Sequence, residues 1–428
     1  MNKYRKRIVD DTIRKRLRIF GAVLICGPKG CGKTRTAKEI AKSIVEFQNE
    51  DKRDTLLQVA ENKPSLLLDG DKPRLFDEWQ DAPKLWGAIR KYCDDNPEKK
   101  GQFILTGSSS NGIQTPHTGT RRISTIDRLP RSLYETGESN GTVSLLDLFN
   151  HSSDDRSCHS GLSIEHLIYA ICRGGWPEIL TVQGEEEKLY FAKELFHQTC
   201  NKDISAIDKT KRSPVYTKAI RKSISHNICT LASKANLYRD ASFDTGRSES
   251  TFKEYYDALE RLYIIKDIDA WCPSIRSKTS IRSTKKRNLI DPSLAVAALG
   301  LNPDYFKTDF KTLGFLFESL CIRDLQIYSE KCGGTVSYYH DRYGLEADCV
   351  LHLEDGRYAL IEFKLGEHEV ELGANHLCKI ESLIKEYNKK EKQCQLRLPD
   401  LKVIITATEY GYKRADGVYI IPIGCLKD

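Results

Sequence analysis

The stretch FGAVLICGPKGCGKTRTAKEIAKSIVEF, residues 20–47, decides the fold of the N-terminal part. Phe20 to Cys26 is a short apolar run ended by Gly27, which reads as a buried strand. GPKGCGKT at 27–34 satisfies G-x-x-x-x-G-K-[ST]. Residues Thr34 to Phe47 place Ala37, Ile40, Ala41, Ile44 and Val45 at helical spacing, so one helix is expected to follow the loop. In a strand–loop–helix of this kind, Gly27, Pro28, Lys29, Gly30, Cys31, Gly32, Lys33 and Thr34 cradle nucleotide phosphates. The glycines let backbone N–H groups turn onto phosphate oxygens, and the helix N-terminus adds a favourable dipole. Lys33 is expected at the β- and γ-phosphates, and Thr34 on Mg²⁺.

A second motif answers the first. PRLFDEWQDAP (73–83) ends an apolar strand, Leu75 to Glu78, on two acids. Asp77 at that end is placed to hold the metal through water, and Glu78 to orient and activate an attacking water. A further strand, Phe103 to Thr106, stops at GSSS. Short apolar strands alternating with helices predict a parallel α/β sheet covered on both faces.

The chain has 428 residues, more than one ordinary core uses. Its composition changes near Asn150 and again near Leu301. The division expected is 1–150 for nucleotide binding, 151–300 for a helical linker and winged helix, and 301–428 for a second α/β domain. HSSDDRSCHSG (151–161) reads as a linker. Residues 162–242 read as mostly helical. Thr251 with Glu254 reads as a capping box ahead of Phe252, Tyr255, Tyr256, Leu259 and Leu262, and Ile264 to Ile268 as a strand. Helices followed by a short strand pair suggest a winged helix. Strands are expected near 336–340, 349–353, 358–363, 401–406 and 418–422.

Composition excludes several classes. Charged residues make up 30%, mean hydropathy is −0.49, and no apolar run nears the roughly 20 residues that span a bilayer. The basic N-terminus lacks the apolar core of a secretory signal. Fourteen scattered cysteines without CxxC pairs fit reduced thiols of a cytoplasmic protein. A net charge of +7 is mild, although basic residues gather at Lys3–Arg18 and Arg276–Arg287.

The later acids form a second constellation. GLEADCVLHLEDGRYALIEFKLG (344–366) puts Asp348 on one strand and, beyond the Asp355-Gly356 turn, Glu362 and Lys364 on the next. Residues two apart on a strand share a face, so Glu362 and Lys364 point the same way. With Asp348, and with Glu318 from the helix GFLFESLCIRDL, they present the D…(D/E)-x-K pattern of nuclease cores. There Asp348, Glu362 and Glu318 would hold Mg²⁺ and Lys364 would assist water in phosphodiester cleavage.

GPKGCGKT, PRLFDEWQDAPKLW, GQFILTGSS, HTGTRRI, SLYETGES, RGGWPEIL, NLIDPSLA, GFLFESL, GLEAD and IEFKLG occur in the order seen in a family of prokaryotic AAA-type ATPases. Members join a P-loop AAA domain to a winged helix and to a C-terminal domain of unknown function that resembles restriction endonucleases. The resemblance runs from about Tyr4 to Pro422. It implies ATP binding through Lys33, Thr34 and Asp77, and a nuclease-like core at Glu318, Asp348, Glu362 and Lys364. It also implies a γ-phosphate sensor at Ser108 or Thr106. An arginine finger would come from Arg121, Arg122 or Arg128, in cis or from a neighbouring copy in a homo-oligomer.

Two functions follow. One is an ATP-driven enzyme acting on DNA, gripped by the winged helix and the basic segment 276–287. The other is a nucleotide-controlled regulatory ATPase whose C-terminal domain is a non-catalytic scaffold for protein or DNA. A sequence-specific transcription regulator fits less well, because Glu254, Asp257 and Glu260 on the candidate recognition helix would repel phosphates.

Overall fold

The computed structural model describes residues 4–107, 121–150, 157–208, 210–274, 283–391, 393 and 395–428. Ser108 and residues 276–282 of the basic segment lie outside the described residues.

Five strands, β1 (Ala22–Cys26), β2 (Ser43–Glu46), β3 (Arg74–Asp77), β4 (Phe103–Gly107) and β5 (Ile123–Asp127), form one sheet in the order β2-β3-β4-β1-β5. All the pairings are parallel. Both faces of β1 are buried. Ala22, Leu24 and Cys26 join a core with Phe76, Leu85 and Trp86, while Val23 and Ile25 join one with Ile13, Ala37 and Leu75. That two-sided burial is why the strand reads as a continuous apolar run.

The expected helix 34–47 is two elements. The helix stops at Lys38, and Ser43–Glu46 is β2, running beside β3 with Val45 opposite Phe76. Ile44 and Val45 are β-branched residues that fit a strand at this sheet edge, and apolar spacing over so short a window does not separate the two states.

The middle of the chain is helical, as expected. The helix Glu249–Arg261 is capped by Ser248, whose hydroxyl accepts from the Thr251 N–H, so the cap lies three residues before the one the capping-box pattern indicated. After this helix the backbone pairs Ile265 with Leu289 and Ile268 with Lys286, antiparallel.

Seven strands form the second sheet: β7 (Cys158–His159), β8 (Gly334–His340), β9 (Glu346–Leu353), β10 (Tyr358–Lys364), β11 (Leu401–Thr406), β12 (Tyr410–Lys413) and β13 (Tyr419–Pro422), ordered β7-β12-β13-β11-β10-β9-β8. The β9–β10 hairpin turns at Gly356, with Tyr358 opposite His352. The helix Phe310–Tyr328 covers one face through Leu316 and Leu320 against Cys349, Leu351 and Ile361. The helix Val370–Lys390 covers the other through Ala374, Leu377 and Ile380 against Val350, Leu360 and Ile404. Two short pairings tie the ends of the molecule together. β7 lies in the stretch expected to be a linker, and β14 (Leu426–Lys427) runs parallel to β6 (Val143–Ser144).

Candidate nucleotide site and C-terminal carboxylates

The carboxyl ends of β1, β3 and β4 lie side by side, which is where parallel α/β sheets bind ligands. The chain leaves β1 at Gly27 with φ 148°, and a Cβ there would lie 2.3 Å from the Arg128 carbonyl, so only glycine fits the turn. Lys33 is buried, and its Nζ donates to the carbonyls of Gly27 (2.9 Å) and Pro28 (2.8 Å). The Thr34 hydroxyl donates to Asp77 Oδ1 at 2.7 Å, and the Thr106 hydroxyl donates to the same oxygen at 2.5 Å. Hydroxyl and carboxylate thus converge as Mg²⁺ coordination needs, directly from Thr34 and through water from Asp77. Glu78 has φ 53° and ψ 50°, a left-handed conformation unusual outside glycine and found at functional sites. Gln80 Nε2 donates to Glu78 Oε2, orienting a carboxylate that lines the cleft.

The cleft measures about 940 Å³ and has two walls. Lys29, Gly30, Gly32, Lys33, Thr34, Glu78 and Gln80 come from the parallel-sheet part, while Glu178, Asp203, Ala206, Ile207 and Leu262 come from the helical part. Lys29 Nζ pairs with Asp203 at 2.7 Å across the two. Sequence reading passed over Glu178 and Asp203, for which the only signal was the Pro-Glu of RGGWPEIL.

The candidate arginines are placed differently from expectation. Arg128 is fully buried beneath the phosphate loop, its Nε donating to the Cys31 carbonyl at 3.0 Å. It supports the loop from within and has no surface to offer a neighbouring copy. Arg121 and Arg122 precede β5, at the end of the sheet opposite the loop, and Arg122 pairs with Asp94 at 2.5 Å. Of the three, only Arg128 adjoins the phosphate loop, its Nη2 lying 3.4 Å from where a Cβ at Gly32 would stand. Thr106, an expected γ-phosphate sensor, stands beside Asp77 and donates its hydroxyl to that carboxylate.

In the C-terminal sheet, Glu362 and Lys364 share a face as expected, with Nζ and Oε2 at 2.8 Å. Asp348 reaches the same place, its Oδ2 accepting from the Phe363 N–H at 2.9 Å. Gly373 of the covering helix packs closely there, since a Cβ would lie 3.2 Å from Lys364 Cε. Glu362 is buried on both sides rather than facing solvent, and burial together with the neighbouring Asp348 charge pushes its carboxyl up to about 8. Its Oε1 has no hydrogen-bond partner and lies 3.7 Å from His376 Nδ1.

Glu318 does not join that pair. It comes from the helix on the opposite face, and its Oε1 takes the ammonium of Lys286 at 2.6 Å. Lys286 also donates to the Asp348 carbonyl at 3.0 Å. Burial pushes the Glu318 carboxyl up to about 8, with Lys286 pulling the other way. Lys286 and Arg287, expected on a DNA-facing surface, are both buried. Arg287 pairs with Asp267 and donates to the Ala232 carbonyl at 2.7 Å. Among the described residues no three His, Cys, Asp or Glu side chains are grouped to hold a metal. Glu318 is thus taken up by Lys286, apart from Asp348 and Glu362, while Glu362 Oε1 is left without a partner.

Comparison with known proteins follows the same division. Residues 20–137 match the family model described as AAA domain, 164–305 match Domain of unknown function (DUF8612), and 313–426 match Domain of unknown function (DUF4143). Among solved structures, replication initiator DnaA bound to AMPPCP and single-stranded DNA is 12% identical, with 59% of this chain and 86% of that chain covered and a TM-score of 0.25. A Signal Transduction ATPase with Numerous Domains protein with a tetratricopeptide repeat sensor, from Pyrococcus horikoshii, is 11% identical, with 76% of this chain and 48% of that chain covered and a TM-score of 0.22. This chain thus spans about half the length of the second. Scores this low carry no structural argument. No curated protein matches. Among the described residues no helix is long and apolar enough to cross a membrane.

Proposed function

From an N-terminal region of AAA type, we propose that the chain binds ATP with Mg²⁺ in the cleft and hydrolyses it, and that the helical part responds to that nucleotide. The observation that carries this is the convergence of Lys33, Thr34, Asp77 and Glu78 on one open cleft whose far wall is helical. Bound Mg²⁺ would neutralise phosphate charge. Lys33 would exchange its loop carbonyls for β- and γ-phosphate oxygens, and Glu78, held by Gln80, would orient the attacking water. The test is Mg²⁺-dependent phosphate release by the wild type and by Glu78→Gln. Hydrolysis should fall about a hundredfold in the variant with ATP still bound. Equal rates in both proteins would remove Glu78 from the chemistry.

For the C-terminal part, the scaffold reading is favoured over nuclease action, and the observation behind it is the Lys286–Glu318 pair, which takes Glu318 away from Asp348 and Glu362. DNA remains the partner to test. Helices followed by the isolated antiparallel bridges Ile265–Leu289 and Ile268–Lys286 are compatible with a winged helix, and Arg276, Lys278 and Arg282 fall between those bridges in the sequence. Exposed Glu254 argues against Glu249–Arg261 as the helix that meets phosphates. Duplex retention at low salt that is lost on neutralising Arg276, Lys278, Arg282 and Lys285 would support the wing. Unchanged plasmid DNA in Mg²⁺, before and after Asp348→Ala, would support the scaffold, whereas cleavage lost with that change would reinstate the nuclease.

A further inference from the structure

A carboxylate of the helical part stands at the phosphate end of the cleft, and the hydrolysis described above makes no use of it. Trp176-Pro177-Glu178 crosses the phosphate loop closely. Pro177 Cγ would lie 3.1 Å from a Cβ at Gly32, and Glu178 Oε2 would lie 3.9 Å from one at Gly30. The segment is held from behind, because Trp176 is fully buried with its indole N–H donating to Ser293 at 3.0 Å, and the Gly175 N–H donates to Asp291 at 3.0 Å. Glu178 lines the cleft, yet its Oε2 is buried and has no hydrogen-bond partner.

No cation hydrogen-bonds its buried Oε2. Lys33 is engaged with the loop carbonyls, and Lys29 is paired with Asp203. Arg128 donates to Cys31, and Arg131 donates to the carbonyls of Glu135 and Arg5. Glu78 and Asp81 across the cleft add negative charge. Phosphates brought against the loop near Gly30 would meet a like charge. Burial already pushes the carboxyl up, with Lys33 and Arg131 opposing.

Resting on the ATP reading, we propose that Glu178 makes nucleotide binding proton-linked: its carboxylate takes up one proton from solvent as the phosphates enter. The neutral carboxyl then stands beside the triphosphate without opposing it. Because binding takes up a proton, ATP affinity falls as pH rises through the range in which this carboxyl ionises.

The experiment is calorimetric titration of the full chain with ATP and Mg²⁺. It is run in two buffers of different ionisation enthalpy, at a series of pH values from mildly acidic to mildly basic. Wild type, Glu178→Gln and Glu178→Asp are compared, so that ionisation of the nucleotide itself cancels. The wild type should take up to one proton more per ATP than Glu178→Gln. Glu178→Gln should bind roughly three- to tenfold tighter at the high end of the range, the gap closing towards the low end, as expected for one like-charge contact at intermediate dielectric. Glu178→Asp, which keeps the charge, should follow the wild type. Equal proton uptake and affinity in wild type and Glu178→Gln overturn the proposal. So does weaker binding by Glu178→Gln, which would make the carboxylate a ligand. If neither protein binds ATP although both unfold cooperatively, the ATP reading itself falls, and this inference with it.

Discussion

The nucleotide cleft and the C-terminal carboxylate cluster are built from similar residues, acids with lysines at strand ends, and they use them in opposite ways. In the cleft, Thr34, Asp77, Glu78 and Lys33 line about 940 Å³ of open space, and the lysine is held only by loop carbonyls that phosphate oxygens can replace. In the C-terminal part, Glu362 meets Lys364, Asp348 meets the Phe363 N–H, and Glu318 meets Lys286, all packed between helices. A binding site keeps its polar groups convergent and replaceable. A structural network spends them on each other, because a charge removed from water is costly unless it is paired. The same residue types therefore carry different functions according to what surrounds them.

The largest expected effect falls on the cleft. Lys33→Ala should weaken ATP binding by at least about a hundredfold, as loss of a charge-assisted phosphate contact does, with stability little changed. A titration in which the variant binds like wild type would make the cleft no more specialised than the cluster. The next effect falls on the cluster. Lys286→Met leaves Glu318 buried without its cation and should cost about 3–5 kcal/mol in denaturant unfolding. Adding Glu318→Leu to it should recover much of the loss. A variant that loses no stability would mark the pair as replaceable, like the cleft.

The pH dependence is smaller and its sign is fixed. Glu362 is raised to about 8 in the folded chain against an ordinary value of 4.5. Between these pH values the unfolded chain has lost this proton while the folded chain still holds it. Stability therefore declines as pH rises across that window, by up to roughly 1.4 kcal/mol per pH unit. Glu362→Gln should flatten that decline, which unfolding measured at several pH values would reveal. The smallest effect belongs to Arg122→Ala, which should leave ATP hydrolysis within about twofold, since its partner Asp94 is a surface pair. A hundredfold loss would restore it as a finger acting on a neighbouring copy.

Several elements were legible in the sequence because their signals are local. β1, β3, β4 and the β9–β10 hairpin fall where the apolar runs and the Asp355-Gly356 turn place them. The roles of Lys33, Thr34 and Asp77 rest on fixed spacing within one strand–loop–helix and on one strand end, and Thr34 and Asp77 do meet. β2 was not legible, since Ile44 and Val45 satisfy helix and strand spacing alike until β3 supplies the partner. Lys286 was read as a surface cation because it ends a basic run, and nothing nearby in sequence reveals Glu318 on a helix 32 residues on.

The sequence alone thus determined that a phosphate loop follows a buried strand, that Asp77 and Glu78 end a second strand, and that Glu362 and Lys364 share a face. Each depends on backbone periodicity and glycine stereochemistry over a few residues. Only the tertiary structure decided which acids face open space and which face a lysine, that Arg128 lies beneath the loop, and that Glu178 of the helical part stands over it. Those outcomes depend on burial and on charges brought together from distant parts of the chain, and such energies are set by neighbours in space.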